Sequence, residues 1–259
     1  MSTLVALGDS VTVGVGDVGT PTGWAAHLAW ALRIDTFRNE ARLGARARDV
    51  AREQLPVARA ARPDLSTLLV GGNDVLRGDF SPQDVGSHVE RMVEGLQRDG
   101  GDVLVVLLHD PRRTMPGPRI VRDVLGERAE SVNCEVQRRL AGAPRLALVD
   151  PRVSQVTSTS AAWSVDRLHP SALGHRELAG MALAALEPLG WQPSRGFLAP
   201  SAAQPSPARR AWWLLRHGTP WFAKRSRDLL PELAVVCWRH HRTRASRKTS
   251  SSALPTLPT

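Results

Sequence analysis

Across the first 190 residues, short apolar runs alternate with longer stretches whose apolar side chains recur every three or four positions. Residues 4–7, 65–70, 103–108 and 145–149 are rich in Val and Leu and bounded by turn formers. That pattern predicts strands buried on both faces. A weaker strand is predicted within 34–39. The intervening segments predict helices over 24–32, 45–61, 82–95, 119–140 and 171–186. Two of them carry clear start signals. Ser81 precedes Pro82 and Asp84, and Pro170-Ser171 opens the last helix. Five strands separated by helices specify an α/β fold, a three-layer sandwich around a parallel sheet. The alternation leaves strand order open, but it places ligand chemistry at the carboxyl ends of the strands.

Beyond residue 190 the texture changes. Residues 191–210 are rich in Pro, Ser and Ala and predict a linker after a first domain over 1–190. Residues 211–247 gather four of the eight tryptophans among arginines, which predicts a basic helical segment, and 248–259 predict a disordered tail. Charge follows the same division. Residues 1–200 hold 23 basic and 23 acidic side chains, whereas 201–259 hold 11 basic against Asp228 and Glu232. The whole formal charge of +9 therefore lies in the last quarter. Such a segment can contact an anionic membrane surface weakly, while nucleic acid is the less favoured partner. Docking of its aromatic stripe beside the cleft is the preferred expectation.

Two cysteines, Cys134 and Cys237, exclude a disulfide framework and permit a reducing compartment. No apolar run approaches the roughly 20 residues that span a bilayer. A cleavable leader of about 15–30 residues would take the motif at 8–10 with it, so none is expected in this stretch. The expected location is cytoplasmic.

The stretch "LVALGDSVTVGVG" at 4–16 admits two chemistries. Gly14, Gly16 and Gly19 spell GxGxxG, but they lie too far past the strand, and Pro21 delays the helix that a dinucleotide cradle needs at once. Ser10 is the better candidate. A serine needs a base to become a nucleophile. "SVDRLHPSALGH" supplies one, because Asp166 and His169 stand three apart in a single turn before a helix. Oxyanion donors are available at the same sheet edge. Asn73 stands in "VGGND" after the third strand, and Gly44 follows the second strand in "NEARLGAR". Asp9, Asp74, Asp150 and His175 are expected to be structural. Trp163, three residues before Asp166, is a candidate wall of the substrate pocket. Arg112 and Arg113 follow the fourth strand, where solvation is the expected state. Cys237, His240 and His241 match no metal-site spacing.

"GDSVTVG", Gly44, "GGND" and "DRLHP" together resemble the four blocks of the SGNH, or GDSL-type, hydrolases, in that family's order. The resemblance covers about residues 3–190. It implies a flavodoxin-like sandwich with strand order 2-1-3-4-5. It implies Ser10 as nucleophile, His169 as general base and Asp166 as its orienting carboxylate. It also implies an oxyanion hole from the Ser10 and Gly44 N–H groups and the Asn73 side chain. The implied activity is hydrolysis of a small-molecule carboxylic ester through an acyl-serine intermediate, with no metal and no cofactor. Before Gly44, "EARL" is bulkier than the family pattern. Acyl transfer by the same residues is the first alternative, and a non-catalytic binding protein using the basic tail is the second.

Overall fold

The computed structural model describes residues 1–115 and 118–197 of the chain. Five strands form one parallel sheet: β1 (Thr3–Gly8), β2 (Thr36–Asn39), β3 (Leu65–Leu69), β4 (Asp102–Val106) and β5 (Leu146–Val149). Their spatial order is β2-β1-β3-β4-β5, the order that the resemblance implies. Helices α1 (Ser10–Val13), α2 (Trp24–Ala31), α3 (Ala47–Asp49), α4 (Leu55–Ala60), α5 (Pro82–Gln97), α6 (Pro111–Thr114), α7 (Arg119–Arg139) and α8 (Ala172–Leu186) complete the layers.

Alternation along the central strands sets the two faces. Val5, Leu7, Leu68, Val103 and Val105 point to one side, where they meet α5 and α7 through Val89, Met92 and Val132. Leu4, Ala6, Leu65, Leu104 and Val106 point to the other, against Trp24 and Leu28 of α2 and Leu178 and Ala182 of α8. β3 and β4 are buried at every position, which explains why their sequences are continuous apolar runs. β2, at an edge, is largely exposed, and this is why its signal is weak.

The helix expected over 45–61 departs from regularity. Between α3 and α4, residues Val50–Gln54 wind as a π-helix. The wider turn carries Gln54 inward, where Oε1 accepts from Gly8 N at 2.8 Å and Nε2 donates to Gly8 O at 2.9 Å. Gly8 itself must be glycine. Its φ is +150°, and a Cβ there would lie 2.3 Å from Leu69 O.

Within residues 191–197, expected in the linker, several groups reach the body. Trp191 Nε1 donates to Asp102 Oδ2 at 2.8 Å, and the Ser194 and Arg195 N–H groups both reach Ala31 O. Arg195 lies over the Trp30 ring at 4.4 Å. An indole carries a large apolar surface and one donor, and here both are accommodated. The remaining expectations for 198–210, 211–247 and 248–259 lie outside the described residues. Among the described residues, no helix is long and apolar enough to cross a membrane.

Candidate active site

The chain turns directly from β1 into α1. Asp9 caps α1, with Oδ1 accepting from Val11 N at 3.0 Å. This places Ser10 at the first helical position, above the carboxyl edge of the sheet. Its N–H is one of the donors that a helix start leaves without an internal partner.

At the same edge, residues 162–171 fold back on themselves. Ser164 N donates to His169 O at 2.8 Å, Ser171 N donates to Ala162 O at 2.8 Å, and Trp163 pairs with Pro170 in an antiparallel bridge. Arg167 takes a left-handed φ of +58° within the turn. The turn brings together the three residues that the sequence singled out. His169 Nε2 lies 2.8 Å from Ser10 Oγ, and His169 Nδ1 lies 2.7 Å from Asp166 Oδ2. Asp166 Oδ1 accepts further bonds from the Leu168 and His169 N–H groups and from Ser164 Oγ. Burial pushes the Asp166 carboxyl up, but the His169 ring and these N–H donors outweigh it, so its pKa falls below the usual carboxylate value.

Gly44 has a φ of +74° and lines the same cavity as Ser10. Neither its N–H nor that of Ser10 has a hydrogen-bond partner among the described residues. Asn73 also lines the cavity, but its amide is engaged. Nδ2 donates to Asp9 Oδ2 at 3.2 Å and to Ala45 O at 3.1 Å. A carboxylate attracts an amide proton more strongly than a neutral carbonyl does, so Asp9 fixes the orientation of Asn73. Burial raises the Asp9 pKa to about 6 against the lowering effects of the Val11 N–H and His169. Asp74 ties the loop after β3 to the start of α3, accepting from Ala47 N and Arg46 Nε. Burial raises its pKa as well.

A cavity of about 500 Å³ runs from Ser10 along the carboxyl ends of β3 and β4. Leu76, Leu108, Met115 and Leu125 line it, and Trp163 forms part of its wall. Trp163 also stacks on His109, with ring centroids 4.0 Å apart, and donates through Nε1 to Thr157 O. Its packing and lining roles therefore coexist. Leu43, in the bulky segment before Gly44, is 69 % exposed at the mouth.

The residues read as structural lie where that reading requires. Asp150 caps a short turn and pairs with Arg152. His175 accepts from Trp24 N and bonds Val15 O, and burial lowers its pKa to about 4. Arg112 and Arg113, expected to be solvated, are instead engaged: Arg112 pairs with Asp110 and Glu130, and Arg113 reaches Arg152 O and Ser158 Oγ. Sequence reasoning missed His109, Gln54 and the buried Asp17–His27 pair at 2.8 Å. Only His109 carried a signal, as a histidine at the carboxyl end of the apolar run "VLVVLLH".

Comparison with known proteins gives a consistent picture. A model described as the GDSL-like lipase/acylhydrolase family matches residues 6–177. No curated protein sequence matches the chain. The crystal structure of TesA is 25 % identical and covers 73 % of this chain and 99 % of its own, with a TM-score of 0.58. A monoethylphosphonate-inhibited esterase, EstA from Pseudoalteromonas sp., is 16 % identical and covers 73 % and 98 %, with a TM-score of 0.56. A catalytic mutant of Axe2, an acetylxylan esterase from Geobacillus stearothermophilus, is 19 % identical and covers 71 % and 94 %, with a TM-score of 0.57. The last two share the fold.

Proposed function

Because the chain belongs to the GDSL-like lipase/acylhydrolase family and is a serine-type carboxylic ester hydrolase, we propose that Ser10, His169 and Asp166 perform the reaction through an acyl-Ser10 intermediate. The observation that carries this reading is the unbroken chain of contacts from Ser10 Oγ to His169 Nε2 at 2.8 Å and from Nδ1 to Asp166 at 2.7 Å.

Ser10 Oγ attacks the ester carbonyl carbon as its proton passes to His169 Nε2. Asp166 holds the ring through Nδ1 and stabilises the imidazolium that forms. The carbonyl oxygen becomes an oxyanion within reach of the Ser10 and Gly44 N–H groups, and Asn73 Nδ2 supplies the third donor. Both protons of that amide are already engaged, by Asp9 Oδ2 and Ala45 O, so one of them is released or shared with the oxyanion only as charge develops. This favours the transition state over the bound ester. The carbon–oxygen bond to the alcohol then breaks, and His169 returns its proton to the leaving oxygen. Water, deprotonated by His169, repeats the sequence and frees the acid.

The test is stoichiometric labelling of Ser10 by a p-nitrophenyl alkylphosphonate, read by mass spectrometry. Ser10→Ala is expected to lose both the label and turnover of p-nitrophenyl esters. His169→Ala is expected to cost nearly as much turnover, because such residues act as a unit. A Ser10→Ala protein that keeps a tenth of wild-type turnover would remove Ser10 from the nucleophile's role. Added alcohols during turnover separate hydrolysis from acyl transfer by the products formed.

A further inference from the structure

The mechanism leaves the imidazole of His109 unused. His109 follows β4 and lines the same space as Ser10. One face of its ring is taken by Trp163. Its ring nitrogens make no hydrogen bond to any described residue. The accessible part of the ring opens into the cavity, while the packing around it pushes its pKa down to about 4. At neutral pH it is therefore an uncharged imidazole, with one N–H donor and one lone pair to offer.

Its neighbours pair elsewhere. Trp163 Nε1 donates to Thr157 O, and the Thr157 hydroxyl donates to Pro151 O and Ser154 O. Asp110, next in sequence, is held by Arg112. The wall nearby is supplied by Leu108, Met115 and Leu125. An ordered water needs two to four polar partners, and this wall offers few besides His109. An unpaired polar group facing an apolar space is costly, and a bound ligand that pairs with it recovers that cost.

We infer that His109 is a specificity-determining residue, whose imidazole hydrogen-bonds a hydroxyl group carried on the acyl chain of the ester. A hydroxyl both donates and accepts, so it complements either tautomer of the ring. The acyl part is the natural occupant of the enclosed space, because it stays bonded to Ser10 through both half-reactions while the alcohol must leave. Its reach is set by the sheet. β4 lies two strand spacings from β1, about 10 Å, so the hydroxyl sits several carbons from the carbonyl. This inference rests on the acyl-Ser10 reading and adds a substrate class to it: hydroxylated medium-chain acyl esters.

The experiment compares p-nitrophenyl octanoate with its monohydroxylated isomers, the hydroxyl moved carbon by carbon along the chain. The wild-type protein should favour one internal position over the plain octanoate by about tenfold in kcat/KM, the size of one net hydrogen bond. His109→Phe keeps an aromatic ring against Trp163 but has no polar atom. It should reverse the preference, so that plain octanoate is favoured by about tenfold. His109→Gln should retain part of the wild-type preference. Thermal melting of each variant confirms that it is folded, and the wild-type series stands without either variant. The inference is overturned if no isomer gains more than about twofold in the wild type, or if His109→Phe slows all esters by a common factor. If the wild type hydrolyses neither octanoate nor any isomer, the medium-chain substrate class fails; absence of phosphonate labelling at Ser10 as well would take the acyl-Ser10 reading with it.

Discussion

Asp9 touches no substrate in this scheme, yet two functional elements depend on it: the start of α1 and the orientation of Asn73. Asn73→Ala should lower kcat by about 10²–10³ with little change in KM, since its donor acts mainly on the developing oxyanion. Steady-state kinetics on one ester decides this, and an effect confined to KM would make Asn73 a binding residue instead. Asp9 predicts a pH effect of defined sign. Its folded pKa of about 6 lies above the 3.8 of a free aspartate, so the folded protein holds this proton more tightly than the unfolded chain. The stabilisation is present below about pH 4 and is lost as pH rises through about 6, a change of about 3 kcal/mol. The difference in Tm between Asp9→Asn and wild type should therefore move by several degrees in the variant's favour between pH 4 and 6. A flat difference would assign Asp9 an ordinary pKa. Asp166 and His169 were legible in the sequence because they stand three apart in one turn, and Ser10, 159 residues from His169, because it sits in a chemically specific motif at a strand end. The hold of Asp9 on Asn73 was not, since it joins positions 64 residues apart.

Two helices use a side-chain amide to finish the sheet. Gln54 bonds both backbone groups of Gly8, where β1 ends, and Asn133 of α7 does the same for Leu108 beyond β4, at 2.8 Å each way. In both places buried backbone groups at a strand end require partners. Removing the Gln54 amide takes away the acceptor of the Gly8 N–H, while Gly8 O keeps Arg42 N; removing the Asn133 amide strands both groups of Leu108. Gln54→Leu and Asn133→Leu should each cost about 1–3 kcal/mol in denaturant unfolding. Gln54→Leu should also lower kcat, because Gly8 leads directly into Asp9 and Ser10; Asn133→Leu acts at the His109 side of the cavity. An unchanged unfolding midpoint in both would refute the clamp. The strands and most helix limits followed from apolar spacing. The π-helix did not, because its extra residue is recruited by a contact 46 residues away and leaves no periodic trace of its own.

At the scale of the molecule, alternation revealed the layers, and only the four motif blocks carried the strand order. Past the boundary drawn at 190, Trp191 and Phe197 stand in a Pro- and Ser-rich context that masks their contact with the α2–α8 layer. Truncation after Leu189 should therefore lower Tm more than truncation after Phe197, by the few degrees that loss of one half-buried indole and its bond to Asp102 implies. Equal Tm values would show that residues 191–197 contribute nothing. The site of that docking has a geometric outcome. Asp102 begins β4 and Ala31 closes α2, so residues 191–197 run beneath the amino edge of the sheet, opposite the edge that bears Ser10. Whatever the chain beyond Phe197 is attached to, the attachment starts at the back of the enzyme. Anchored there, to a bead or a surface, the protein would work as a moored vessel does, with its loading door turned toward open water.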